Sequence, residues 1–157
     1  MKYNSLLLLV LLISITNSFS QTVRHNYNKI RVHVKDEITL GPDWRIDASK
    51  NTVNGTVEIK LLNANKYYSI TIKDNGTNNV RFSSTFSLDD AILNKQLNLY
   101  QIKCINDIDE TSANIVLSSL NIKTLRYAGY MYKSRTEKTM GSIFLMIFYF
   151  DTNSNPF

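Results

Sequence analysis

Disulfide bonding within the chain is excluded at the outset, because its 157 residues include a single cysteine, Cys104. Small exported domains with thin cores carry several cysteine pairs, so packing must hold this one together. Proline is almost missing as well. Pro42 and Pro156 are the only two, which rules out an extended proline-rich linker. Five scattered glycines leave no flexible tether, and no period of roughly 20–50 residues repeats. One domain is the economical reading. No apolar run approaches the ~20 residues that a membrane-spanning helix needs. Charge of one sign does not dominate either: 18 Lys and Arg face 13 Asp and Glu, a formal net charge of +5. The excess is dispersed rather than gathered into the stripe typical of nucleic-acid binders, so no nucleic-acid partner is expected. With His25 and His33 as the only histidines, no Ser–His–Asp arrangement can be recognised. The chain reads as a non-enzyme without a cofactor.

What the chain does have begins with a leader. Lys2 supplies a positive start, Leu6–Ile13 an unbroken apolar run, and Ser18-Phe19-Ser20 a small-x-small cleavage site. That order is the pattern of a secretory signal peptide. Residues 1–20 are therefore expected to be removed near Ser20. Residues 21–157 are then a single β-rich domain, secreted to the periplasm or the extracellular space.

Beyond the leader, Asn-rich turns alternate with short runs of Val, Ile, Tyr, Phe and Thr, as strands and turns do. Lys29–Lys35 alternates with Ile30, Val32 and Val34 on one side and Arg31, His33 and Lys35 on the other. Glu37–Leu40 reads as a second short strand, and Trp44–Ala48 alternates again with Trp44 as a core anchor. Asn54-Gly55 tolerates the positive φ angles of a tight turn and predicts a hairpin. Val57, Ile59 and Leu61 face inward after it. Tyr68, Ile70 and Ile72 share a face, as do Val80, Phe82, Ser84 and Phe86, with Asp74–Asn79 as the turn between these two runs. Ser87, followed by Asp89 and Asp90, predicts the capped start of one short helix over Leu88–Lys95. Ser142–Phe150 is apolar on both faces and is expected to be a strand covered on both sides, hence central. An outer-membrane barrel is disfavoured because that run does not alternate. The fold class is thus all-β: an antiparallel β-sandwich or small barrel of roughly eight to ten strands with one short helix.

Candidate chemistry is sparse. Cys104, between Lys103 and Ile105 in a strand-like run, is expected to be a buried small side chain. His33 reads as a solvated histidine, and His25 as part of a loose N-terminal arm. Asn106–Thr111 places oxygens at alternate positions, as calcium loops do, but lacks the central glycine and distant glutamate; it reads as an acidic turn, and no metal site is expected. Asn54-Gly55-Thr56 and Asn75-Gly76-Thr77 match the glycosylation sequon. The one suggestive surface set is Arg126, Tyr130 and Tyr132 on a single strand face, with Lys133, Arg135 and Lys138 extending a basic rim. Facing outward, two rings and a guanidinium at ~7 Å spacing would suit a glycan or an anionic polymer. The ordinary alternative is cross-strand aromatic packing. The expected function is a small non-enzymatic binding module whose partner is a protein or polysaccharide at the cell exterior. The alternative is a lipocalin-like carrier of a small apolar ligand, although the Gly-x-Trp spacing of that family is absent: Gly41 and Trp44 are one residue too far apart.

Overall fold

The computed structural model describes residues 21–36, 45–50, 54–63, 66–75, 79–134 and 141–150. The expected leader, Glu37–Leu40 and Trp44 lie outside them. Ten strands form one antiparallel sheet: β1 (Thr22–Asp36), β2 (Arg45–Lys50), β3 (Gly55–Asn63), β4 (Tyr67–Asp74), β5 (Val80–Ser87), β6 (Ile92–Asn94), β7 (Leu99–Asn106), β8 (Thr111–Leu117), β9 (Tyr127–Lys133) and β10 (Ser142–Phe150). Their order is β5-β4-β3-β1-β10-β9-β8-β7-β6, with β2 attached beside β1. The all-β class therefore holds. Among the described residues no helix is long and apolar enough to cross a membrane.

β1 organises everything else. Its first half, Thr22–Tyr27, pairs with β3, and its second half pairs with β10 from Tyr27 to Asp36 and with β2 from Ile30 to Val34. A bulge between Tyr27 and Lys29 marks the handover, a place where strands bend and twist more strongly. The N-terminal arm is thus a strand, not a loose segment. The alternation of Arg24, Asn26 and Asn28 with Val23, His25 and Tyr27 is polar enough to hide that from composition alone.

Two hairpin meanders flank β1. In β3–β5 the predicted inward sets face in: Val57, Ile59, Ile70, Ile72, Phe82 and Phe86 are buried in one cluster. The Asp74–Asn79 turn joins β4 to β5, its ends tied by the Asp74 N–H donating to the Asn79 carbonyl at 3.1 Å. The second meander, β7–β10, adds Ile102, Ile115, Leu117, Ala128, Tyr130 and Phe148 to the same cluster. β10 occupies the middle of the sheet, and its two faces bury different sets: Phe148 and Phe150 inward, Leu145 and Ile147 outward. An apolar strand with both faces covered is the arrangement its composition demands.

The sheet curls until β5 meets β7. Asp107 N–H donates to the Ser83 carbonyl at 2.8 Å, and the buried Ser84 hydroxyl donates to the Ile105 carbonyl at 2.7 Å. Asn106 Oδ1 accepts from the Ser83 N–H, and Ser83 Oγ donates to Asp107. These side chains satisfy backbone groups at a contact where β5 and β7 form no ladder among the described residues.

Two local expectations fail for identifiable reasons. Among the described residues Asn54-Gly55 joins no β2–β3 hairpin, because β2 and β3 both pair with β1 and not with each other. Gly55 is instead needed for space: a Cβ there would lie 2.1 Å from Tyr27 Oη and 2.2 Å from the Lys73 carbonyl oxygen. The ring of Tyr27 crosses Gly55 so that its hydroxyl reaches Asp74 Oδ1 at 2.8 Å, beside the Lys73 carbonyl at 3.1 Å. Arg81 Nε donates to the same Asp74 oxygen. Burial alone would raise the Asp74 pKa, but donation from Arg81 and Tyr27 outweighs it and holds the carboxyl below its ordinary value. The short helix also shrinks. Ser87 does cap it, accepting from the Asp89 N–H at 3.2 Å, but only one 3-10 turn, Leu88–Asp90, follows before β6 begins.

The buried tyrosines make a pH prediction. Burial, then the neighbouring Tyr132, pushes the Tyr130 phenol up to about 12, and burial with the Asp74 hydrogen bond raises Tyr27 further. In the unfolded chain both ionise near the ordinary ~10. Their contribution is therefore complete below pH ~10 and is lost as pH rises toward and through the folded values. Urea midpoints measured against pH should stay level to about 10 and then fall, with the phenolate absorbance of the buried rings appearing together with unfolding. A midpoint that is flat to pH ~12 would contradict it.

Candidate functional site

The strand face carrying Ala128, Tyr130 and Tyr132 turns inward. Tyr130 is 9% exposed, and its ring stacks on Phe82 at 4.5 Å with an interplanar angle of 6°. Tyr132 is half-buried between Tyr130 and Phe144, at 5.8 and 5.5 Å. Arg126 is exposed but precedes β9; its N–H donates to Ser118 Oγ at 2.8 Å. The three residues expected to form one outward binding face are therefore not together on such a face. Arg135 and Lys138 lie outside the described residues.

A similar chemical set appears on the outer face, assembled across strands instead of along one. Register places Tyr127 of β9 opposite Tyr149 of β10, and Tyr149 opposite Lys29 of β1. The two tyrosine rings lie 5.5 Å apart, and the Arg31 guanidinium sits 5.3 Å from the Tyr149 ring centroid. A cation over a tyrosine face is held by the ring quadrupole. Both rings are half-buried, packed on the outer cluster of Leu99, Val116, Leu145 and Ile147. The Tyr127 hydroxyl donates to the Asn98 carbonyl at 3.3 Å, which fixes that ring's tilt.

Further along the same face the sheet holds a recess of about 370 Å³. Its walls are the outward side chains Lys103, Ser112, Asn114, Met131, Lys133 and Ile143. Asn114 is opposite both Lys103 and Met131, and Lys133 is opposite Ile143, whose other neighbour is Lys35. Cys104, Ala113 and Tyr132 lie beneath. Cys104 is half-buried rather than fully buried. Burial is the main cause that pushes its thiol up, so it stays protonated at neutral pH.

The remaining sequence candidates have structural roles. His33 is half-buried rather than fully solvated: its Nε2 is buried without a hydrogen-bond partner among the described residues, and burial, then Arg31, holds its pKa below the ordinary value. His25 stacks flat on Phe150 at 4.5 Å, with Nε2 2.9 Å from the Ile122 carbonyl oxygen. It thereby fastens the 3-10 turn Ile122–Thr124, where a second recess of about 190 Å³ opens beside Val23, Tyr68, Leu88 and Leu120. In the acidic turn, Asp109 Oδ1 accepts from Asn106 Nδ2, the Thr111 N–H and Thr111 Oγ1, and Asp107 is engaged at the β5–β7 seam. No three metal-binding side chains converge among the described residues. Asn54 and Asn75 are both exposed and adjoin, the Asn75 N–H donating to the Asn54 carbonyl at 2.9 Å. Comparison with protein-family models, with curated proteins and with solved structures returned no match, so the reading of this face rests on its own residues.

Proposed function

We propose that the protein is an exported, non-catalytic binding module that engages an extracellular polysaccharide through the outer face of β1, β10, β9, β8 and β7. One observation carries this reading: a tyrosine pair with an adjacent guanidinium and a concave, partly apolar recess share one sheet face. Rigid aromatic rings offer large contact area at little entropic cost, and neutral amide and hydroxyl groups beside them suit sugar hydroxyls. The inner face is filled by stacked Phe82, Tyr130 and Phe148, which favours surface binding over a cargo held inside.

Affinity electrophoresis of the purified secreted protein through gels containing different polysaccharides tests this. Retardation by at least one polysaccharide is expected. Tyr149→Ala should reduce it several-fold, while Thr71→Ala on the opposite half of the sheet leaves it unchanged. No retardation by any polysaccharide would overturn the reading.

The carrier alternative draws on the recess beneath Leu120. At about 190 Å³ it falls short of the roughly 300–1,000 Å³ of most small-molecule sites, which keeps it second. Enhancement of an apolar dye's fluorescence by the folded monomer, abolished by Leu120→Asp, would move the conclusion there.

A further inference from the structure

We infer that the exported chain begins at Gln21 and that this glutamine closes on itself into a pyroglutamyl lactam. The inference rests on the export in the reading above and adds a modification site at the end that export exposes.

The chemistry needs a glutamine in first position. While Ser20 is attached, the Gln21 nitrogen is an amide and does not attack a carbonyl. Cleavage after Ser20 turns it into an α-amine with a pKa of about 8, so roughly a tenth of it is free base at pH 7. That free base attacks Cδ of its own side chain. The N–Cδ bond forms, the Cδ–Nε2 bond breaks, and ammonia leaves with the proton that the α-amine gives up. No oxidant, reductant or second substrate enters.

The structure leaves the reacting atoms clear. Gln21 is exposed and stands one residue before β1. It meets the sheet through its carbonyl, which accepts from the Leu61 N–H at 2.9 Å. That carbonyl belongs to the bond with Thr22 and survives ring closure. Strand pairing starts with Thr22 opposite Lys60. Among the described residues neither the Gln21 nitrogen nor its side-chain amide makes a hydrogen bond. The side chain lines the recess of about 190 Å³ whose walls include Val23, Ile59, Leu88 and Leu120. Apolar walls suit a neutral five-membered ring better than an ammonium group, which gives up hydration there.

The fold also gives the sealed end a use. A lactam removes the free amine that aminopeptidases require. Trimming from Gln21 onward would run into Thr22–Tyr27, the stretch of β1 that pairs with β3 and so joins the two meanders.

The experiment takes the full chain secreted from a host cell under its own leader and reads the mass of its N-terminal peptide, residues 21–24 of a tryptic digest. A peptide about 17 Da lighter than the free-amine form is expected. The intact protein should resist stepwise N-terminal sequencing until pyroglutamyl aminopeptidase exposes Thr22. Gln21→Ala should keep the parent's melting temperature, carry a free amine and be shortened several-fold faster by a general aminopeptidase. A secreted chain that starts at Gln21 with a free amine, or at another residue past the leader, would overturn the inference and leave export standing. A chain that keeps Met1 would sink the export reading as well. Equal trimming of Gln21→Ala and the parent would overturn the protective role.

Discussion

Tyr130→Ala is expected to destabilise the protein by about 4 kcal/mol, the range found when a large buried aromatic is cut back to alanine. The ring is the hub of the inner core. It stacks on Phe82 at 4.5 Å and on Tyr132 at 5.8 Å, and approaches Phe148 at 6.1 Å. Removing it withdraws apolar area and leaves three rings around an empty space that the surrounding strands relax only partly to fill. Domains of this size have only ~5–15 kcal/mol to lose, so the melting temperature should fall by more than ~10 °C. Tyr130→Phe keeps the stack and should stay within about 1 kcal/mol. The comparison separates the two roles offered by the sequence. An outward ligand-binding tyrosine would lose binding and keep stability on truncation, so a Tyr130→Ala protein that melts like the parent would refute the inward placement.

Much of the architecture was legible because alternation is a local property. The inward sets of β3, β4 and β5 follow from a two-residue period, and β10 declares its central place by being apolar at every position from Ile143 to Phe150. The period alone, however, does not say which face is inward when both carry rings. Along β9 the two sets are Tyr127, Gly129 and Met131 against Ala128, Tyr130 and Tyr132. Only the register with β10, which aligns Ala128 with Phe148 and Tyr130 with Met146, assigns the second set to the core.

The candidate site was hidden for the same reason. Tyr127, Tyr149 and Arg31 are far apart in sequence and meet through two strand pairings. A two-residue period groups residues along one strand, so it brings Arg126 with Tyr130 and Tyr132 and is blind to rings and a guanidinium that meet across three strands. Partner switching by β1 was equally invisible. Asn54-Gly55 carries strong hairpin chemistry, yet long-range pairing of both β2 and β3 with β1 overrides it. The role of His25 is not legible locally, because its partners, Phe150 and the Ile122 carbonyl, come from distant segments.

Gly129→Ala should cost about 3 kcal/mol, although the change adds one methyl group. A Cβ built on Gly129 would stand 1.9 Å from the Met146 carbonyl oxygen and 3.0 Å from its carbon. Both are backbone atoms of the central strand, so no side-chain rotation relieves the clash and β10 itself must shift. Overpacking of this kind costs ~1–3 kcal/mol even where side chains can yield. The sign is the informative part. Where backbone and space allow, Gly→Ala stabilises by ~0.4–1 kcal/mol through the unfolded chain, so a neutral or stabilised Gly129→Ala would disprove the close approach of β9 and β10. Denaturant midpoints measure it directly. The same displacement reaches the binding face, because Gly129 lies opposite Ile147, between the Tyr127–Tyr149 and Met131–Leu145 pairs. Moving β10 away from β9 separates the tyrosine rings and shifts Ile143 against Lys133. Gly129→Ala, assayed well below its melting temperature, should therefore weaken polysaccharide retardation as well, by a route that leaves every cation in place.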